Sequence, residues 1–327
     1  MPAELDVVSA DLHDVELIVV SYRSRDQLEV LLPSLPGDVR LALVDNSPGQ
    51  EEISDLIAGH DGWRLVPDGP GGFAAAVNLA VTSSDADYVV LMNPDSRPTA
   101  TDLAAIVASL REDANLAAAA ALTVSPDGRP EIGAGGWRPT PRRALVHALG
   151  LHTRLPLAGM VVRPVRDEPV TLDWVCGAVL AMPRATFLRL GGFDERHHMY
   201  CEDMDYGLVA QDAGLRSVLR TDLAVPHEGG GSGAPKTHTA WLRGKAQGSW
   251  LRDELGRVPA DLIRFFLALG AIARVPLYLL RRNGNQARES LSFAKGLWDG
   301  SGTGLPRTTV NSGLTKADQP SADQRDL

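Results

Sequence analysis

Carboxylates and a histidine, set at the ends of apolar runs along 327 residues, are the side chains of this sequence best suited to chemistry. The densest group is Tyr200-Cys201-Glu202-Asp203-Met204-Asp205-Tyr206, where three acids open an expected helix and gain from the positive end of its dipole. Dipole compensation accounts for part of that acidity, and a carboxylate set against a hydroxyl can also serve as a general base. Asn93-Pro94-Asp95-Ser96 follows the apolar run YVVLM, where Pro94 stops the ladder. Asp95 then suits a hard divalent cation that keeps several waters and takes further ligands from phosphate, while a helix-capping turn before Thr99 is the plainer reading. Asp45 and Asn46 follow another run and precede Pro48, so they read as a turn or as acceptors for a base or ribose. Gly69-Pro70-Gly71-Gly72 precedes a small-residue helix, where backbone can approach a phosphate closely; a plain turn fits as well. The G-x-G-x-x-G and Walker spacings are both missing there. Asn78 inside that helix is a pocket group or a packing amide, and His227 in PHEGGGSG is a ligand contact or a structural histidine.

These residues need elements to hold them. From Val15 the run VELIVVSY reads as a buried strand, and Ser24 with Gln27 predicts a capping box ahead of Leu28, Leu31, Leu32 and Leu35. Val39 to Asp45, Trp63 to Val66 and Tyr88 to Met92 repeat the strand signal with helical stretches between. Such alternation predicts an α/β fold with a mostly parallel sheet flanked by helices. Ligands in such sheets bind beyond the carboxyl ends of strands, which singles out Ser21 to Arg23, Asp45 to Ser47 and Asn93 to Ser96. A Pro-, Gly- and Arg-rich excursion, Ser125 to Glu168, leads to the apolar segment Leu172 to Met182, a short helix ending at Gly191-Gly192, and an acidic helix from Glu202 to Ala213 closed by Gly214. The expected organisation is an N-terminal extension over 1–14, a nucleotide-binding half over 15–124, an acceptor and catalytic half over 125–258, C-terminal amphipathic helices over 259–300, and an unstructured tail over 301–327.

Composition narrows the classes. A hydrophobic share of 44% supports a large core, and a net charge of −9 disfavours nucleic acid as a partner. Cys176 and Cys201, the two cysteines, offer no disulfide framework or Cys-x-x-Cys metal spacing and read as reduced and buried. The acidic N-terminus lacks a secretory pattern, which points to the cytosolic side. Leu262 to Leu280 is apolar but interrupted by Arg264, Arg274 and Pro276, predicting an interfacial helix rather than a span. Between Pro259 and Trp298 six Lys/Arg face two acids, a local +4. Each such cation contributes on the order of 1 kcal/mol at an anionic surface; a helix packed on the rest of the chain is the alternative.

In order, VVSYRS, VDNS, GPGGFAAAVN, LMNPDS, WVCGAVLAMPRATFLRLGGFDERHHMYCEDMD and VPHEGGGSG resemble an inverting family 2 glycosyltransferase of the GT-A fold, in its bacterial rhamnosyltransferase-like branch, from Val15 to Gly233. The resemblance implies a donor side of Ser21, Tyr22, Asp45, Asn46, Gly72, Asn78, Asn93 and Asp95. It implies Mg²⁺ or Mn²⁺ near Asp95 and His227, Asp203 as the base, and Trp174, Gly177, Glu202 and Asp205 on the acceptor side. Asn93 replaces the first Asp of the family's D-x-D-like motif, Pro70 stands where the family has Asn, and His197-His198 replace an aromatic pair. The implied donor is a nucleotide-diphosphate sugar, dTDP-rhamnose first. The implied acceptor is a lipid-linked or glycan hydroxyl in cell-envelope polysaccharide synthesis, met peripherally on the inner membrane face. The competing readings are a noncatalytic nucleotide-sugar scaffold and a nucleotidyltransferase, although no Gly-rich, Arg/Lys-bearing triphosphate loop lies near the first strand.

Overall fold

The computed structural model describes residues 11–47, 53–66, 72–155, 157–165, 167–229 and 234–310. Its first part is a run of βα units: β1 (Val15–Ser21), α1 (Arg25–Leu31), β2 (Arg40–Asp45), β3 (Trp63–Val66), α2 (Phe73–Thr82), β4 (Tyr88–Met92), α3 (Ala100–Glu112) and β5 (Leu116–Val124). Strands β3, β2, β1 and β4 lie side by side and parallel. All seven residues of β1 are buried, as expected of a strand covered on both faces. Helix α2 is apolar around most of its circumference and is correspondingly buried, its alanines letting it lie close to the sheet.

The second part completes the same sheet. After β6 (Gly135–Gly136), α4 (Pro141–Ala148), β7 (Val170–Leu172) and β8 (Trp174–Val175) come β9 (Val179–Pro183), α5 (Arg184–Arg189), α6 (Glu202–Asp212) and β10 (Arg216–Pro226). Strand β9 runs antiparallel between β4 and β5, and β10 lies parallel beside β5, giving an eight-stranded order β3-β2-β1-β4-β9-β5-β10-β7. The sheet therefore crosses the expected boundary at 124/125, and the two halves share one core. The excursion is partly regular: β6 pairs with β8, and α4 opens with Thr140 accepting the Arg143 amide.

Four helices follow: α7 (Lys236–Leu255), α8 (Arg257–Ala273), α9 (Val275–Leu280) and α10 (Gly284–Asp299). Helices α7 and α10 interlock through reciprocal glycines. A Cβ at Gly244 or Gly248 would stand 2.3 or 2.2 Å from the Phe293 or Leu297 carbonyl, and one at Gly296 2.2 Å from that of Trp241. Small residues four apart on both helices permit this approach.

Several local expectations change. Ser24 donates its hydroxyl to the Tyr22 carbonyl and does not cap α1 with it; both halves of a capping box are present at α3, between Thr99 and Asp102. Arg264, read as an interruption facing a membrane interface, is 2% exposed and donates to the Leu297 and Trp298 carbonyls at 2.7 and 3.0 Å, clasping α8 to α10. Residues 301–310, expected to be unstructured, lie against the core; the rest of that tail, with Pro70, falls outside the described residues. Both cysteines are free thiols, partly rather than fully buried.

Candidate active site

The parallel register brings the donor-side residues to one edge. Ser21 pairs with Asp45 across β1 and β2, while Val19 pairs with Met92, so Asn93 to Asp95 emerge beside them. Asp45 is buried and accepts the Ser47 amide at 2.9 Å, and the Asn46 amide donates to the Ser21 carbonyl. The Ser21 hydroxyl is buried without a hydrogen-bond partner among the described residues, and Tyr22 beside it is exposed under the Arg23 guanidinium. Gly72, at φ 132°, opens α2; a Cβ there would stand 3.0 Å from the His198 carbonyl, which accepts the Phe73 amide. Its amide lies 3.5 Å from Asn46 Oδ1, a long contact.

Asn78, expected on the donor side, has its amide fully engaged by the protein. It donates to the Phe193 carbonyl and Glu195 at 2.8 and 2.7 Å and accepts the Phe193 amide at 2.9 Å, fastening α2 to the Gly191–Glu195 loop. It is a packing amide.

At the centre of the edge, His227 lies just past β10. Its Nε2 is 3.2 Å from Asp95 Oδ1 and 3.2 Å from the Asn93 amide, and its Nδ1 is 2.8 Å from Glu131. Burial opposes charge on the ring, but its hydrogen bonds to Asp95 and Glu131, and their negative charge, outweigh it and raise the imidazole to about 9. The donor set fits a divalent ion. Octahedral bonds of about 2.1 Å place neighbouring ligand atoms about 3 Å apart, close to the Asp95–His227 spacing. Glu131 stands where a metal-binding histidine has its orienting carboxylate. Another carboxylate group, Asp194, Asp205 and Glu254, is also compact enough for an ion, yet Arg196 and Arg307 already pair with its members. Those guanidinium groups supply the positive charge an ion would bring.

Asp203 stands across one short turn from this histidine. The Gly177 amide donates to Asp203 Oδ2 at 2.9 Å, while the next carbonyl, of Ala178, accepts the Asn93 amide and the Ser96 hydroxyl, both at 3.0 Å. A Cβ at Gly177 would meet Leu91 at 3.4 Å and Asp203 at 3.8 Å, ordinary contact distances, so the turn packs closely on the carboxylate without requiring glycine. The Met204 amide donates to Asp203 Oδ1 at 2.7 Å. Desolvation raises the Asp203 carboxyl, and the bonds from Gly177, Met204 and the Cys176 thiol pull it back. Glu202, buried beside it with Oε2 unpartnered among the described residues, is pushed up to about 8 by burial and by Asp203. One proton shared between such neighbours goes to the acid with fewer donors, so Glu202 holds it and Asp203 stays ionised. Trp174 packs against Gly207 of α6 and keeps its indole N–H buried and unpartnered among the described residues.

Asp205, expected on the acceptor side, points away. It accepts Trp250 Nε1 at 3.0 Å and Arg307 Nε at 2.8 Å within the protein. Glu131 and Cys176 are site residues that motif reading missed. Glu131 sits in the irregular excursion, and its placement follows from its amide bonding the Thr123 carbonyl at the end of β5. No sequence spacing encodes that pairing.

No family model matches the sequence. It is 28% identical over 230 residues to the N-acetylglucosaminyl-diphospho-decaprenol L-rhamnosyltransferase of Mycobacterium tuberculosis, spanning 64% of this chain and 75% of that one. It is 26% identical over 218 residues to the rhamnosyltransferase WbbL of Escherichia coli, spanning 62% and 78%. Among solved structures, the mannosyltransferase PcManGT of Pyrobaculum calidifontis, bound to GDP-Man and Mn²⁺, superposes with a TM-score of 0.55 over 88% of this chain and 87% of that one, at 17% identity.

Proposed function

We propose that the chain, which resembles rhamnosyltransferases of glycosyltransferase family 2 and shares the GT-A fold, is an inverting, divalent-metal-dependent enzyme moving one sugar from a nucleoside diphosphate to an acceptor hydroxyl. Rhamnose is the first choice of sugar and dTDP-rhamnose of donor, with a lipid-linked or glycan acceptor of the cell envelope. The observation that carries the reading is the Asp203 carboxylate held by the Gly177 and Met204 amides, one residue from the Ala178 carbonyl that ties down Asn93 beside the Asp95–His227 pair.

Asp203, relieved of a proton by its two backbone donors, takes the proton of the acceptor hydroxyl. The acceptor oxygen then bonds to the anomeric carbon from the face opposite the diphosphate, and the bond to the diphosphate oxygen breaks with inversion. An ion held by Asp95 and His227 would stabilise the negative charge of the leaving diphosphate. Glu131 fixes the His227 ring, and Asp45 and Asn46 serve the nucleoside end. The test is a panel of nucleotide sugars with Mg²⁺, Mn²⁺ or chelator. Metal-dependent release of nucleoside diphosphate from one donor is expected. Pyrophosphate release would mean a nucleotidyltransferase, and binding without turnover a scaffold.

The working place proposed is the cytoplasmic face of the membrane, bound peripherally. Within Arg257–Leu280 an 18-residue window has mean hydropathy 1.7, long and apolar enough to cross a membrane by composition, but 33% of that window is buried in the protein. Ile263, Leu267, Ala268 and Ala271 face inward, while Val258, Leu262, Phe265, Leu269 and Ile272 form an exposed stripe. A helix with one face docked and the other apolar and exposed suits an interface better than a span. Phe265→Ser/Leu269→Ser should cut sedimentation with anionic vesicles about tenfold. Equal sedimentation of variant and wild type would remove the stripe from the reading.

A further inference from the structure

Residues 301–310 form a strap across the loop that leads into α6. Asp253 of α7 collects its start, accepting the Thr303 and Gly304 amides at 2.9 and 3.1 Å. Thr308 then accepts the Glu195 amide at 2.7 Å and donates to Asp194 at 3.0 Å, and the Val310 amide donates to the Gly191 carbonyl at 2.9 Å. The Gly191-Gly192 pair is shaped to this seat. A Cβ would stand 2.9 Å from Thr309 at the first position and 2.4 Å from Val310 at the second.

Arg307 carries the strap's hold onto α6. Its Nε donates to Asp205 Oδ2 at 2.8 Å, and its Nη2 and Nη1 donate to the Gly192 and Leu190 carbonyls at 2.7 and 3.3 Å. Asp205 is 2% exposed, so loss of the guanidinium leaves a buried carboxylate uncompensated two residues from Asp203. Helix α6 also begins on two non-glycine residues in the left-handed region, Tyr200 at φ 72° and Cys201 at φ 74°. Such a start persists only where surrounding contacts over-determine it. We propose that Arg307 is a positioning residue for the transfer reaction: by pinning Asp205 and the 190–192 turn, it sets where Asp203 stands against the acceptor hydroxyl. This role rests on the reading of Asp203 as the base.

The test compares full-length wild type with Arg307→Met, Arg307→Lys and the double variant Asp205→Asn/Arg307→Met. Transfer kinetics are read alongside segment-resolved amide hydrogen exchange. Arg307→Met should lower kcat about 10- to 100-fold, the scale of a displacement of order 1 Å, with the donor KM unchanged within about twofold. Exchange should quicken over residues 200–206 and not in β1. Arg307→Lys should recover part of both losses, and the double variant should recover the exchange protection because no buried charge is left unpaired. Wild-type exchange over 200–206 in Arg307→Met, or an even rise throughout the chain, overturns the proposal. A wild type that transfers no sugar overturns the glycosyltransfer reading instead, and the exchange arm alone then decides whether Arg307 holds α6.

Discussion

Ser21, Asp45 and Asp95 each stand within three residues of the strand that delivers them, whereas Asp203, His227 and Asp205 are held by partners 26, 96 and 102 residues away. At the donor edge, strand register does the positioning: β1, β2 and β4 end together, and their carboxyl ends form a shelf. On the base side the ends of β10 and α6 bring the groups near, but distant partners fix them. Asp203 depends on a turn after β8, His227 on a carboxylate from an irregular excursion, and Asp205 on a strap near the chain's end. A substitution at the donor edge should therefore act mainly through the residue changed. On the base side, it should also act through whatever the residue was holding.

The largest effect should come from Asp203→Asn. The amide keeps the shape but cannot take a proton, so transfer should fall roughly 10²- to 10⁴-fold while donor affinity, measured by calorimetry, stays within about twofold. Near wild-type turnover would put the base elsewhere. Loss of donor binding together with turnover would break the comparison itself, because the two sides would then not be separable. Glu131→Gln tests the longer-range support of His227. It leaves Asp95 and the strand ends intact, yet metal affinity should drop about 10- to 100-fold, the usual cost of removing an orienting carboxylate. Unchanged Mn²⁺ affinity would show that Asp95 and the donor hold the ion without the histidine.

The same contrast explains what was legible in the sequence. Apolar runs locate β1, β2 and β4, and the residues after them fall where the sheet opens, because a parallel sheet leaves little freedom in where its strands end. The acidic motif correctly marks the start of α6, but the helix period alone cannot say which of its carboxylates faces the site. Asp203 faces the Gly177 turn, while Asp205, two residues on and about 200° around the helix, faces Trp250 and Arg307. Asn78 is ambiguous for a similar reason: a buried amide in a small-residue helix fits a ligand or a loop, and only the Gly191–Glu195 loop decides. The strap escapes notice because it lacks an apolar period; polar contacts and the glycine pair hold it, and neither leaves a repeating signature.

The smallest effect, and the sharpest test of the two adjacent acids, is expected from Glu202→Gln. Glu202 has a folded-state pKa of about 8 against an ordinary value of 4.5, raised first by burial and then by Asp203. The folded protein thus holds this proton more tightly than the unfolded chain does. The resulting stabilisation is complete below pH 4.5 and is lost as the pH rises through 8, where folding must bury an ionised carboxylate with one oxygen unpartnered among the described residues. Glutamine is neutral throughout. The thermal midpoint of Glu202→Gln should match wild type near pH 4.5 and exceed it increasingly toward pH 8.5. The gap there corresponds to a few kcal/mol at most, since one unit of pKa is about 1.4 kcal/mol and the adjacent acid shares the shift. Turnover at pH 7 should fall less than about threefold, because Glu202 is already protonated there and Asp203 keeps its donors. A midpoint difference independent of pH would place the shared proton on Asp203 instead. A turnover loss as large as that of Asp203→Asn would mean that Glu202 is the acid facing the acceptor.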